Sequence, residues 1–169
     1  VNASVNEMRT VFAPLHRSHL LPYDVWRKKM VSIIVNMNRF AGLRTLLSRL
    51  EKHDEYTYRH SIGVAMISGM IGEAEGMPEK ELHELTVAGL LHDAGKLLIP
   101  PEILKKAGHL APGEFEQMKR HTIYGYKMIR RMAGTTCRQA LVALQHHERN
   151  DGSGYPCGLR ENEIDRFGK

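Results

Sequence analysis

The stretch Leu85-Thr86-Val87-Ala88-Gly89-Leu90-Leu91-His92-Asp93-Ala94-Gly95-Lys96 decides how this chain reads. An uncharged, largely apolar run ends in a histidine and an aspartate, and Gly95 and the pair Pro100-Pro101 then break the pattern. Neighbouring residues on a helix point about 100° apart, so His92 and Asp93 can face one point only where a helix ends. An aspartate closing such a run is hard to explain by packing, because a buried carboxylate needs partners.

A second stretch has the same form. Leu141-Val142-Ala143-Leu144-Gln145 leads into His146-His147, and Glu148-Arg149-Asn150-Asp151-Gly152-Ser153-Gly154-Tyr155-Pro156 follows. Imidazole nitrogen and carboxylate oxygen suit borderline and hard divalent metals, and the set contains no thiolate. Metal-assisted hydrolysis is therefore the leading reading. His60 and His121 stand alone on helical stretches, where a histidine is more often a hydrogen-bonded boundary residue than a ligand. His16, His19, His83 and His109 read as surface residues. Lys96 reads either as a solvated loop lysine or as a point charge that offsets a phosphate oxygen. Gly95 would let the backbone turn sharply enough to bring that ammonium inward.

Outward from these runs the chain is helical. Its first two dozen residues, with Pro14 and Pro22, read as an irregular lead-in. From about Asp24 to Leu50, Val31, Ile34, Val35 and Asn38 and then Leu43, Leu46, Leu47 and Leu50 recur at helical spacing, with Asp24 as N-cap and Gly42 as a candidate break. A second helix is expected from about Asp54 to Glu75, with Tyr56, His60, Val64, Ile67 and Ile71 on one stripe, ended by Gly76 and Pro78. A third starts near Glu79 and carries Leu82, Leu85, Ala88 and Leu91. A short piece at 102–106 precedes a fourth helix, expected to run from Pro112 to about Met132 with Phe115, Met118, His121, Ile123 and Met128. A fifth runs from about Thr136 to His147, and the glycines of 150–158 make a tight loop. No segment alternates with period two, so the domain is expected to be all-α. Residues 1–50 read as a helical lead-in or linker from an upstream region, and residues 51–169 as the domain that bears the site.

A chain of 169 residues suits one domain with a real apolar core, and 42% hydrophobic with 25% charged residues is ordinary for a globular protein. No apolar run reaches the eighteen or so residues that a membrane span needs. The N-terminal residues lack a signal-peptide pattern and an initiator Met, so the chain reads as part of something longer. A net charge of +5 without an arginine-rich stripe argues against long nucleic acids as partners. Cys137 and Cys157 are too few and too far apart for a CxxC site and read as reduced thiols of a cytosolic protein. The expected location is the cytoplasm, either free or as the cytoplasmic domain of a membrane-attached receptor.

Taken together, the motifs resemble the HD-GYP branch of the HD phosphohydrolase superfamily, whose members are cyclic di-GMP phosphodiesterases. The name-giving pair is His92-Asp93, within Leu-Leu-His-Asp-Ala-Gly-Lys, and the second element is Gly154-Tyr155-Pro156. Tyr56-Thr57-Tyr58-Arg59-His60-Ser61 is similar to the family's first histidine motif, while 99–104 and His121-Thr122-Ile123-Tyr124-Gly125 fill the stretch between. The resemblance covers roughly 54–167 and implies an HD-domain helical bundle.

It further implies that His60, His92 and Asp93 hold one metal. Asp93 would bridge to a second held by His121, His146 and His147, with Lys96 on the substrate phosphate. Asp151, Gly152, Gly154, Tyr155 and Pro156 would form a loop that supports the double histidine. Some members use a Glu four residues before the first histidine for a third metal; Tyr56 stands there, so two are expected. The family's last metal-binding aspartate lies on a helix beyond the position of Lys169, so the domain is expected to be incomplete on its C-terminal side. The implied chemistry is two-metal hydrolysis of a cyclic dinucleotide to the linear dinucleotide or GMP, with iron or manganese, or alternatively zinc or nickel. An upstream sensor domain and a homodimer are the further partners expected. Two alternatives stay open: a phosphohydrolase of another cyclic or small nucleotide, and a non-catalytic nucleotide-binding signalling domain. Intact ligands argue against the second.

Overall fold

Asp54 starts the longest helix among the described residues by accepting the Thr57 amide at 3.0 Å and the Thr57 hydroxyl at 2.5 Å, which satisfies a donor that no intrahelical carbonyl could reach. The computed structural model of the chain describes residues 41–169. Helix α1 spans Ala41–His53, α2 Glu55–Ala74 and α3 Glu79–Leu91. A 3₁₀ turn at Ala94–Leu98 leads to α4, Pro101–Leu104; then come α5, Pro112–Lys119, α6, His121–Ile129, and α7, Cys137–Gln145. Two more 3₁₀ turns, Glu161–Glu163 and Arg166–Gly168, follow. Among the described residues the only β pairing is an isolated bridge between Asp151 and Arg160, so the all-α expectation holds. The expected N-cap at Asp24 and the repeats at 31–38 lie outside the described residues, as do His16 and His19. Gly42 sits in the first described turn of α1.

Local chemistry explains the other boundaries. Gly76 takes φ +68, and the Met77 amide reaches back to the Gly72 carbonyl at 2.9 Å, closing α2 with a left-handed glycine. Thr136 and Gln139 cap α7 reciprocally, at 3.2 and 2.9 Å. The single helix expected from Pro112 to Met132 is broken at Arg120. There His121 Nδ1 donates to the Met118 carbonyl at 2.7 Å and the Thr122 hydroxyl donates to the Lys119 carbonyl at 2.9 Å. Side chains compete with backbone amides for the acceptors of the last turn, and the axis bends.

The stripe expected on α2 faces the wrong way. Tyr56, Ile67 and Ile71 are exposed, whereas Thr57, Tyr58, Ser61, Ala65, Met66, Gly69 and Gly72 are buried. The reason is close packing. A methyl group on Gly89 of α3 would lie 3.1 Å from the Ala65 Cα, so α3 rests almost on the α2 backbone there, and at that crossing only small residues such as Ala65 and Ser68 fit. Helix α3 is buried all round its C-terminal half, which explains its unbroken apolar run. Leu91 is fully buried, and truncating it to Ala is expected to cost about 2–5 kcal/mol. Phe167 joins Leu85, Ala88 and Val142, and thus the final turn docks on α3 and α7.

Candidate metal centre

The C-terminal end of α3 delivers His92 and Asp93 into the middle of the bundle. The helix stops at Leu91, and Asp93 takes φ −97 and ψ 7, a turn conformation that lets adjacent residues converge. Gly95 then makes the decisive contact. A methyl group there would lie 1.8 Å from the His121 carbonyl oxygen and 2.5 Å from the Gly125 amide nitrogen. Gly95 is not among the glycines with positive φ, so its role is close approach rather than the sharp turn expected from sequence. That approach seats the His-Asp turn against the first turn of α6, which carries His121.

Asp93 lies at the centre. Its Oδ2 is 3.2 Å from His92 Nε2, 3.8 Å from His60 Nε2 and 2.8 Å from the Lys96 ammonium. Its Oδ1 is 3.4 Å from His121 Nε2 and 3.7 Å from His146 Nε2. His60, His92 and Asp93 bring one ligand atom each within 4.8 Å of one another, and His121, His146 and His147 do the same. All six residues expected as ligands are thus brought together in two groups, with the lysine beside them.

Hydrogen bonds fix what these rings present. His92 Nδ1 donates to the Gly89 carbonyl at 2.7 Å, His121 Nδ1 to Met118 at 2.7 Å, and His146 Nδ1 to Ala143 at 3.1 Å. A carbonyl can only accept, so each Nδ1 carries a proton, and the nitrogen left to face the cluster as a ligand is Nε2. Burial, outweighing the Met118 hydrogen bond, lowers the His121 pKa to about 4, so this ring is neutral at physiological pH. Burial, followed by the charges of His146 and His121, lowers that of His147 to about 3. Burial also pushes the Asp93 carboxyl up, but the imidazoles of His146 and His92 and the Lys96 ammonium hold it well below the usual carboxylate range.

The result is a cluster of acceptors facing one another. His121 Nε2 and His146 Nε2 are 3.2 Å apart, and buried Asp93 Oδ1 has no hydrogen-bond donor among the described residues. Lone pairs and a carboxylate at such distances repel unless a proton or a metal cation lies between them, and an orphaned buried oxygen is costly. The donor set is nitrogen and oxygen, as borderline divalent metals require. Carbonyl partners on Nδ1 orient ligand rings in the way metal sites require. The residues fit metal ions.

His147 is held differently. Its ring stacks on Tyr155, with centroids 4.6 Å apart and planes 20° from parallel. Tyr155 in turn donates its amide to the His147 carbonyl at 3.2 Å. The loop is pressed against the double histidine because a methyl group on Gly154 would lie 2.4 Å from the Arg149 nitrogen and the Glu148 Cα. Burial pushes the Tyr155 phenol up to about 12, so it stays neutral. Pro156 continues the loop through a cis peptide. Asp151 stands outside both groups; its carboxylate caps the Ser153 amide at 2.9 Å and hydroxyl at 2.6 Å.

Sequence reasoning missed two features. Glu148 anchors the loop by accepting the Cys157 amide at 2.7 Å and the Leu159 amide at 2.9 Å, and its place directly after the double histidine was the available signal. Phe115 and Lys119 of α5 also line the cavity in front of His147. No helix among the described residues is long and apolar enough to cross a membrane.

Residues 38–169 match a family model described as HD domain. The chain is 46% identical over 126 residues to a cyclic di-GMP phosphodiesterase of Thermotoga maritima, covering 74% of this chain and 34% of that one. It is 40% identical over 124 residues to the cyclic di-GMP phosphodiesterase response regulator RpfG of Xanthomonas campestris pv. campestris, covering 69% and 32%. Against the 3'3'-cGAMP-specific phosphodiesterase 2 of Vibrio cholerae the identity is 34% over 143 residues, covering 79% and 27%. The chain spans about a third of the length of the curated relatives it matches.

Proposed function

The chain belongs to the HD-domain family, and from that membership and the paired histidine groups we propose that it is the metal-dependent catalytic region of a cyclic di-GMP phosphodiesterase. The observation that carries the reading is the position of Asp93, with one carboxylate oxygen facing each group of histidines. Similarity to curated cyclic di-GMP phosphodiesterases supports the substrate.

His60, His92 and Asp93 would hold one divalent cation, and His121, His146 and His147 a second that shares Asp93. Bound there, such cations would supply Lewis acidity toward a phosphoryl oxygen and make a nearby water more acidic. Iron or manganese suits the set best, with zinc or nickel as alternatives.

The remaining work falls to the chain's own residues. Asp93 stays ionised and offers one oxygen to each side, which offsets the charge brought together at the centre. The Nδ1 hydrogen bonds of His92, His121 and His146 hold their rings in place before substrate arrives, so no reorganisation is needed during the reaction. Lys96, only a fifth exposed on its side chain and 2.8 Å from Asp93, keeps a positive charge at the edge of the cluster. A phosphodiester lying against the cluster would meet that ammonium, which stabilises negative charge developing on the phosphoryl oxygens. Gly154 and Tyr155 line the wall beside His147, and Asp151 and Pro156 belong to the loop that carries them.

The mixed cyclic dinucleotide is the second substrate to test, since 3'3'-cGAMP-specific enzymes are among the relatives. The decisive experiment combines elemental analysis of the full-length protein, reconstituted anaerobically, with chromatography of its products from cyclic di-GMP and from 3'3'-cGAMP. Close to two transition-metal ions per chain and turnover of cyclic di-GMP are expected. A folded full-length protein that binds no iron, manganese, zinc or nickel would overturn the reading.

A further inference from the structure

Helix α5 buries none of its residues, yet it is firmly held. Glu114 accepts the Ala111 amide at 2.7 Å and pairs with Lys106 at 2.5 Å, which fixes the start of the helix. A helix that gives nothing to the core is stabilised for what it displays. What α5 displays is Phe115, a large apolar ring left 45% exposed on the rim of the histidine cluster.

Phe115 lines a cavity of about 480 Å³ whose inner wall is formed by His146 and His147 and whose side wall is Tyr155. The Phe115 ring meets the edge of Tyr155, with centroids 6.1 Å apart and planes at 80°. The Lys119 ammonium lies 5.4 Å from the Phe115 centroid and 5.8 Å from that of Tyr155, and also pairs with Glu116 at 2.6 Å. Arg149 lines the same cavity, its guanidinium 3.7 Å from Asp151 and largely in solvent. An exposed aromatic ring, two cations at the mouth and bare imidazole nitrogens at the back form a concave site with an apolar face and convergent charge. That chemistry recognises a flat base carried on a phosphate.

We infer that Phe115 is the shelf on which one nucleobase of the substrate stacks while its phosphodiester lies against the histidine cluster, with Lys119 supplying charge beside the ring. The inference rests on the proposed phosphodiesterase activity and adds a specificity-determining residue to it. Stacking on an aromatic side chain tolerates any base, because every base has a π-face, so Phe115 selects for nucleotides over base-free phosphates rather than for one base. The competing role is structural: Phe115 merely props Tyr155 and through it His147. The two roles differ in what the base-free compound does.

The test uses the full-length, metal-loaded protein as wild type, Phe115→Ala and Phe115→Trp, with metal content measured on each preparation. Calorimetric titration with GMP and with ribose 5-phosphate, which is GMP without its base, is paired with steady-state kinetics on cyclic di-GMP. Phe115→Ala should weaken GMP about 10-fold, within the range that base–aromatic stacking supports. Ribose 5-phosphate affinity and metal content should stay unchanged. KM for cyclic di-GMP should rise with kcat nearly constant, and Phe115→Trp should restore both GMP affinity and KM. The shelf is overturned if Phe115→Ala binds GMP as wild type does, if ribose 5-phosphate weakens equally, or if the wild type does not prefer GMP to ribose 5-phosphate. The two readings separate cleanly. Phe115-dependent GMP binding without turnover of cyclic di-GMP would sink the activity and keep the shelf; turnover indifferent to Phe115 would do the reverse.

Discussion

His60 and His147 are the outer members of the two histidine groups that flank Asp93, yet their surroundings differ. The His60 side chain is 44% exposed and lies parallel to Tyr56 at 6.4 Å, beside a ring that is itself 77% exposed. His147 is half-buried and stacked at 4.6 Å on Tyr155, whose loop is locked down by Glu148 and by the tight seat of Gly154. His92 and His121, the partners nearest Asp93, are both buried and carbonyl-bonded. The cluster therefore has a rigid interior and two unequal edges. An edge open to water lets an ion exchange, whereas an edge braced by packing keeps its ring oriented at all times.

Asp93→Ala breaks the comparison altogether, because it removes the carboxylate that presents one oxygen to each group. Both ions should fall away together and hydrolysis should drop to background, read by elemental analysis and product chromatography on one preparation. Retention of both ions would show that Asp93 does not join the groups.

Lys96→Ala should leave both groups filled while lowering kcat by roughly 10²-fold, the scale of one lost electrostatic contact in the transition state. Near-wild-type turnover would make Lys96 a partner of Asp93 and nothing more.

Tyr155→Ala should act on the closed edge alone. Affinity for the second ion should fall about 10-fold, as when a support of a ligand ring is removed, with the first ion unaffected. Tyr155→Phe keeps the stacking surface and should behave as wild type in metal titrations. Equal loss in both variants would point to the phenol oxygen instead.

The smallest effect sharpens the comparison through pH. Above pH 6.5, His121 and His147 are neutral in both folded and unfolded chains, and the full stability is present. As pH falls below 6.5, the unfolded chain takes up protons that the metal-free folded chain refuses until about pH 4 at His121 and about pH 3 at His147. Stability should therefore decline with acid across that window. Between pH 6.5 and 5, above the range of ordinary carboxylates, the loss should be on the order of 1–2 kcal/mol for each of the two rings, seen as a lower calorimetric midpoint of the metal-free protein. His60, whose pKa is also lowered by burial and then by His92, contributes with the same sign from a more exposed position. A midpoint that does not move from pH 7 to pH 5 would contradict the assignment of neutral rings.

The residue pattern was enough to name four of the six candidate ligands, because a polar pair closing an apolar helix is costly unless a cation or a charged partner meets it, whereas His60 and His121 came only from the family resemblance. His92-Asp93 and His146-His147 were legible for that reason, and the helices followed from spacing and caps set by neighbours in the chain. Asp54, Gly76 and Thr136 act within a few residues of themselves, and so their effects could be read locally. Three matters required the folded chain. The buried face of α2 runs through Ser61, Ala65 and Gly69 rather than Ile67 and Ile71, since α3 comes so close at Gly89 that a methyl group there would lie 3.1 Å from the Ala65 backbone. The break at Arg120 arises from His121 and Thr122 taking the carbonyls of the turn before them, which a periodic pattern does not reveal. The joining of the two groups depends on Gly95 meeting the backbone of His121 and Gly125, a contact between residues about thirty positions apart. Local sequence sets dihedral preferences and capping; which lone pairs end up facing one carboxylate is decided by how closely two backbones can pack.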